Sequence, residues 1–465
     1  MNSRRQFIKA NGILGLGLMG GFGGFTTAAA SQRQQPGFGA LAYKKGSILS
    51  LPQGFTAKVI SRAGDVMDDG LLTPAMAYGM GSFASDHDNV ILVRNHRISP
   101  GSDSAGAFGR NNINLGRMEK SRVYDDSVGD IACLGGVTTL VYDEKKQAPA
   151  QEFLNITGTI NNSCGGATKW NTWVSCENSS LRKGDLDKQN EDGVLRQDHG
   201  YAFEVSASAA MDQVKEPVPV RSMGRFKRNA LLFHSSAPVV YQTEDEINGV
   251  LYRYLLPEAG KLSEGGKLQA MVIKNRPSAD TRNWECLKSP KFPMRQQFDV
   301  EWIDLDDPQS PNDDLRMRAW KNGAARFSSA AGIWRHKDEI FIAGSSGGKR
   351  GGGQVFRYIP SVNEGQPKEK GAKIELIFEP NDFSVLQNGY GLIVSPWGDI
   401  LLSERGQDAR ITGVTLKGQT YPLAQNIAYR GSEIGGFVFS PSGKTLFVNI
   451  PHPGVTLAIT GPWIK

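Results

Sequence analysis

Cysteine is scarce in this 465-residue chain: Cys133, Cys164, Cys176 and Cys286 are all it has. Four allow at most two disulfides, in any of three pairings, and a chain this long needs no such staples to hold a core. Histidine is scarce too, and the six (87, 96, 199, 234, 336, 452) include no pair at zinc-ligand spacing. No Gly-x-Ser-x-Gly elbow occurs, which argues against a serine hydrolase. The stretch "GSSGGKRGGG" (344–353) lacks the Gly-x4-Gly-Lys-Ser/Thr spacing of a nucleotide loop and reads as a connection between strands. Basic residues exceed acidic ones by only six, with no basic cluster, so nucleic acid is not an expected partner.

What is present begins at the N-terminus. Ser3-Arg4-Arg5-Gln6-Phe7-Ile8-Lys9 leads into an uncharged, glycine-interrupted apolar run from Ala10 to Phe25, then Thr26-Thr27-Ala28-Ala29-Ala30-Ser31. A basic start, an apolar middle and small residues at a cut site make an export signal. The paired arginines followed by Phe-Ile-Lys resemble the twin-arginine signal, whose route carries folded proteins, often with a cofactor already inserted. The run is shorter than the roughly 20 apolar residues of a spanning helix, so residues 1–30 read as a cleaved signal rather than an anchor. Its loss takes the net charge from +6 to +3. Residues 31–465 then read as a single domain, a soluble monomer in the periplasm or outside the cell, with the export machinery as its one macromolecular partner.

Glycine is abundant, at 55, and the apolar segments are short. "GGVTTLVYD" (135–143), "HGYAFEV" (199–205), "EIFIAG" (339–344) and "GQVFRYIP" (353–360) alternate over about five positions, the period of a strand. "VSPWGDILL" (394–402) and "FSPSGKTLFV" (439–448) share a Ser-Pro-x-Gly turn, with Ser395 and Ser440 one propeller-blade period apart. Proline fixes φ in such a turn and glycine takes the strained position. The expected fold is all-β, a propeller of about six blades; a two-sheet sandwich is the alternative.

Further motifs run along most of the mature chain. They include "RNH" (94–96), "CGGATKWNTWVSCE" (164–177), "MGRFK" (223–227), "VEWIDLDDP" (300–308), "AARF" (324–327) and "FSPSGKTLFVNIPHPGVTLAITGPW" (439–463). In this order they resemble the PhoX-type alkaline phosphatases, twin-arginine-exported propellers. The resemblance implies a centre of calcium and iron that hydrolyses phosphate monoesters. Hard calcium takes carboxylate oxygens, and iron accepts oxygen and thiolate together; such ions bind and neutralise a phosphoryl group. It implies an iron-ligand role for Cys164, for which a core thiol and a disulfide partner are the other readings, and leaves Cys176 to packing. Glu177, Glu244, Asp245, Glu404, Glu433 and His452 keep the family residue, the five acids as metal candidates. Asp306-Asp307-Pro308 reads as turn chemistry rather than calcium binding.

The chain departs from the family where acids are expected. Arg97, Asn229, Ala331 and Tyr390 stand where family acids align, and Arg228 takes the family histidine's place. Opposing a cation with a guanidinium costs about 4 kcal/mol per contact pair at an effective dielectric near 20. Arg97 and Arg228, with His96, are therefore candidates to hold a small phosphorylated or anionic substrate directly. Three functions follow: a phosphomonoesterase with a rearranged centre, an anion-binding or altered pocket, and a structural propeller. Replacing Arg4 and Arg5 together by lysine is expected to block export; normal periplasmic levels of the double variant, by immunoblot of cell fractions, would defeat the twin-arginine assignment.

Overall fold

Short alternating segments bounded by glycine, proline, asparagine and aspartate cannot extend into helices, and strands carry nearly all the regular structure. The computed structural model describes residues 36–464 except 87, 103–104, 128–131 and 186–193; the expected signal, residues 1–30, lies outside them. Among the described residues the one α-helix is Leu315–Lys321, and no helix is long and apolar enough to cross a membrane.

Five antiparallel sheets follow one another along the chain in a propeller-like arrangement. The first orders Ala77–Ala84, Asn89–His96, Gly135–Asp143 and Ala148–Thr159. The second orders Asn162–Ala167, Thr172–Glu177 and Ala202–Ser206. The third has nine strands in two meanders, joined where Gln297–Asp304 pairs with Lys373–Phe378. Its end strands, Arg228–Phe233 and Ala330–His336, lie beside each other, so the sheet nearly closes on itself. The fourth starts from Gly389–Val394 and takes Leu49–Pro52 from the N-terminal part of the chain. The fifth starts from Phe437–Phe439 and ends on Thr56–Arg62, which pairs with Val455–Thr460.

Six strands line one central channel: Ala77–Ala84, Asn162–Ala167, Arg228–Phe233, Ala330–His336, Gly389–Val394 and Phe437–Phe439. Each lies beside the next and the last beside the first. Glycine allows this approach. A Cβ on Gly79 would sit 2.4 Å from the Cys164 Cα, one on Gly332 2.5 Å from the Leu392 nitrogen, and one on Gly436 2.2 Å from the Tyr78 oxygen. The expected Ser-Pro turns connect inner to second strands in adjacent sheets. Gly398 donates to the Ser395 carbonyl and Gly443 to that of Ser440, both at 2.9 Å, with φ of +95° and +72°.

The outer faces of the strands pack between sheets. Arg94 is buried and ties the first sheet to the fifth by donating to Thr138 at 3.0 Å and Thr456 at 2.7 Å, besides pairing with Glu152. Gly332→Ala and Gly436→Ala are each expected to destabilise by about 1–3 kcal/mol, the cost of overpacking against backbone. Thermal melting checks this; Gly391→Ala, which meets the Ser403 hydroxyl at 2.6 Å rather than backbone, should cost less.

Candidate functional site

The second strand of a sheet runs antiparallel to the inner one, so its end returns to the channel mouth where the inner strand begins. His96-Arg97, Glu177, Glu244-Asp245 and Glu404-Arg405 all occupy such strand ends. That shared position is why the motif residues recur at strand ends in the sequence.

The mouth is closed by a small apolar cluster of Tyr78, Ala331 and Tyr390. The two tyrosine rings meet edge to face at 5.7 Å, a favourable quadrupole arrangement. Two guanidinium groups lie over them: Arg97 at 4.9 Å from the Tyr78 centroid and Arg405 at 3.6 Å from that of Tyr390. Arg405 pairs with Glu433 at 2.9 Å. Arg97 donates one hydrogen bond, to the Tyr390 hydroxyl at 3.4 Å, and forms no ion pair among the described residues. Asn229 donates to that hydroxyl at 2.7 Å, and Asp245 accepts from Asn178 at 2.9 Å and Asn229 at 3.4 Å. Burial holds Tyr390 above its ordinary pKa, so it keeps its proton. Burial works against both charged guanidiniums, and Arg97 and Arg405 oppose each other, but the net shift of each is upward and both stay charged.

Most of the remaining candidates have partners elsewhere in the structure. Arg228 is fully buried and donates to Gln242, Gly200, Met223 and Gly224; its guanidinium is a structural strut, not an anion clamp. His96 uses both ring nitrogens at 2.8 Å, on Ala75 and Thr138, and burial followed by Arg94 pushes it down to about 3, so it stays neutral. Glu177 is saturated by the backbone of Ile160, Gly200 and Tyr201 and by His199. Glu404 accepts from Thr412 at 2.6 Å and pairs with Arg410 at 3.0 Å. Glu244 accepts from Val250 and Tyr252 with one oxygen while the other has no hydrogen bond. Cys164 lines the channel as a free thiol, pushed by burial up to about 11. Cys176 is a buried free thiol in the core, as expected of a packing residue, so the two form no bridge. His452 is exposed.

These donors do not fit a centre of several calcium and iron ions. Of the six expected metal ligands, only Asp245 and Glu433 belong to the cluster at the mouth, and Glu433 is already paired with Arg405. Tyr78, Ala331 and Tyr390, which offer no carboxylate, close the mouth instead. Sequence reasoning missed Arg405 and Tyr78. Arg405 was findable, since it follows Glu404 at a strand end as Arg97 follows His96.

A second, fully buried group was not legible at all. Ligand atoms of Asp125, Cys133 and His199 lie within 4.8 Å of one another, a possible metal-binding triad. The His199 Nε2 is 3.2 Å from Asp125 and 4.0 Å from the Cys133 sulfur, and its Nδ1 is 2.7 Å from Glu177. A carboxylate behind the imidazole is the usual support of a metal-bound histidine. Burial works against the charged imidazole, but the adjoining Glu177 and Asp125 hold it up at about 12, so without a metal it serves as an imidazolium between two carboxylates. Wide sequence separation hides the group.

Burial, opposed by Arg316 at 3.7 Å, pushes Glu244 up to about 7 from an ordinary 4.5. Its folded value lies above its unfolded one, so the penalty is absent below pH 4.5 and grows until pH passes 7. Stability from this group therefore falls across that window, by at most roughly 3 kcal/mol at 1.36 kcal/mol per unit. Glu244→Gln is expected to remove that slope, as read from urea midpoints between pH 4.5 and 8.

The sequence pattern of alkaline phosphatase PhoX matches residues 36–148 and 143–454. Among solved structures, Pseudomonas fluorescens PhoX in complex with vanadate, a transition state analogue, superposes with a TM-score of 0.64 at 15% identity. That match covers 89% of this chain and 96% of the other; at this identity it establishes the fold. A protein of unknown function from Bacteroides thetaiotaomicron (TM-score 0.43, 7% identity, 87% and 76% coverage) and a luciferin-regenerating enzyme (0.41, 9%, 89% and 97%) are far more remote. No curated protein sequence matches significantly. With a pattern that spans nearly all of residues 36–454, the chain belongs to the PhoX alkaline phosphatase family.

Proposed function

We propose that this protein, a propeller of about six blades spanning residues 31–465 and exported by its twin-arginine signal, recognises a small phosphate monoester at the Arg97–Arg405 mouth of its channel. The observation that carries this is Arg97: a guanidinium held against two tyrosines, with a second guanidinium close enough to repel it and no carboxylate paired to it. Such a pair is relieved by an oxyanion, which accepts two-pronged hydrogen bonds from each arginine. Tyr390 accepts from Asn229 and keeps its own proton to donate. Glu433 yields Arg405 to the incoming phosphoryl oxygens, and Asp245 holds Asn229 in place.

A second reading, hydrolysis of phosphate monoesters at a metal centre, is favoured by family membership and by the retained Cys164, Asp245 and Glu433. Isothermal titration of the exported protein with inorganic phosphate and p-nitrophenyl phosphate, together with elemental analysis, separates the readings. Binding in metal-free protein, weakened about tenfold or more by Arg97→Ala through loss of a charged hydrogen bond of about 1.5–3 kcal/mol, is the expected result. Turnover that requires calcium and iron, in a coloured protein bleached by Cys164→Ser, would establish the second reading instead. Indifference to every phosphate compound would leave a structural propeller.

A further inference from the structure

The channel continues from the tyrosine cluster towards the opposite mouth, where the inner strands end. Its volume is about 470 Å³, within the roughly 300–1,000 Å³ of small-molecule sites. Its wall is mostly apolar. Trp334 is only half-buried and packs against three separate apolar clusters, to which Phe439, Val394 and Val438 respectively belong, so its indole joins apolar groups of more than one sheet. Leu232 is half-buried and Ala167 exposed along the same surface. At the far mouth this changes. Lys169 and Arg335 line the opening, both are exposed, and neither forms an ion pair among the described residues. Both also bear on one imidazole: after burial, they help to hold His234 below its ordinary pKa, with Asp338 acting the other way.

An apolar tube with unpaired cations at its lip is complementary to a molecule with an apolar body and an anionic head. We propose that the far end of the channel, between Trp334 and the Lys169–Arg335 rim, binds an elongated apolar acid, its hydrocarbon part inside the channel and its charged group at the rim. This site is separate from the Arg97–Arg405 mouth and does not depend on phosphate recognition there. The apolar body gains from leaving water, and the rim cations set orientation rather than most of the affinity.

The test uses 11-(dansylamino)undecanoic acid, an apolar acid that brightens on leaving water, with the mature full-length protein. Saturable one-to-one binding is expected, displaced by decanoate but not by inorganic phosphate. The double variant Lys169→Glu/Arg335→Glu alters only exposed side chains and should weaken it at least about tenfold. Ala167→Trp, also at an exposed position, fills the tube and should abolish it. Circular dichroism and melting confirm that both variants fold. No saturable binding up to about 1 mM overturns the proposal, as does binding that Ala167→Trp leaves intact, which is adsorption outside the channel. Loss on filling with no response to charge reversal overturns the assignment of an acidic ligand.

Discussion

Close backbone contact around the channel is the constraint on which the rest of this structure depends. Neighbouring inner strands here belong to different sheets, or in one case to the two ends of the nine-stranded sheet, and none forms a ladder with the next, so what sets their spacing is how near one backbone can come to the next. At Gly79, Gly332 and Gly436 the distance leaves no room for a methyl group. A tight ring keeps the channel narrow enough for Tyr78 and Tyr390 to touch across it and for Trp334 to reach its neighbours. Apart from Glu433, which comes from the loop before Phe437–Phe439, the side chains of the mouth are positioned by that ring, since each stands at the start of an inner strand or the end of the strand beside it.

The fold was largely legible because strand periodicity and turn chemistry are local. Ser395-Pro396 and Ser440-Pro441 announced their turns, and their separation announced the repeat of sheets. The nine-stranded sheet was not legible, because the pairing of Gln297–Asp304 with Lys373–Phe378 depends on contacts far apart in sequence. The site divided in the same way. Arg97 was found because it breaks a motif at a strand end. Arg228, one residue further along its strand than the motif lysine, gave the same signal but points into the interior, where carbonyls use up its donors. A one-residue step along a strand reverses the face of a side chain, and no pattern in the sequence showed on which side of that step Arg228 falls.

The acids tell a related story. Glu177 and Glu404, expected from the resemblance to be metal ligands, are engaged by backbone amides, His199, Thr412 and Arg410. A carboxylate at a strand end can serve the backbone as readily as an ion, and residue type alone does not distinguish the two. What does distinguish them is the company they keep: around Tyr78, Ala331 and Tyr390 positive charge gathers, and the mouth becomes a place of guanidinium and phenol.

The fifth sheet has a consequence for how the chain is made. Its outermost strand, Thr56–Arg62, precedes its partner Val455–Thr460 by nearly the whole length of the protein. During synthesis that early strand waits, unpaired, until Val455–Thr460 has been made. Loop closure over so great a separation is slow, and an unpaired strand in that interval is open to pairing with other chains. Until that join is made the edge of Val455–Thr460 stays open, so one strand pair decides when the fifth sheet is finished.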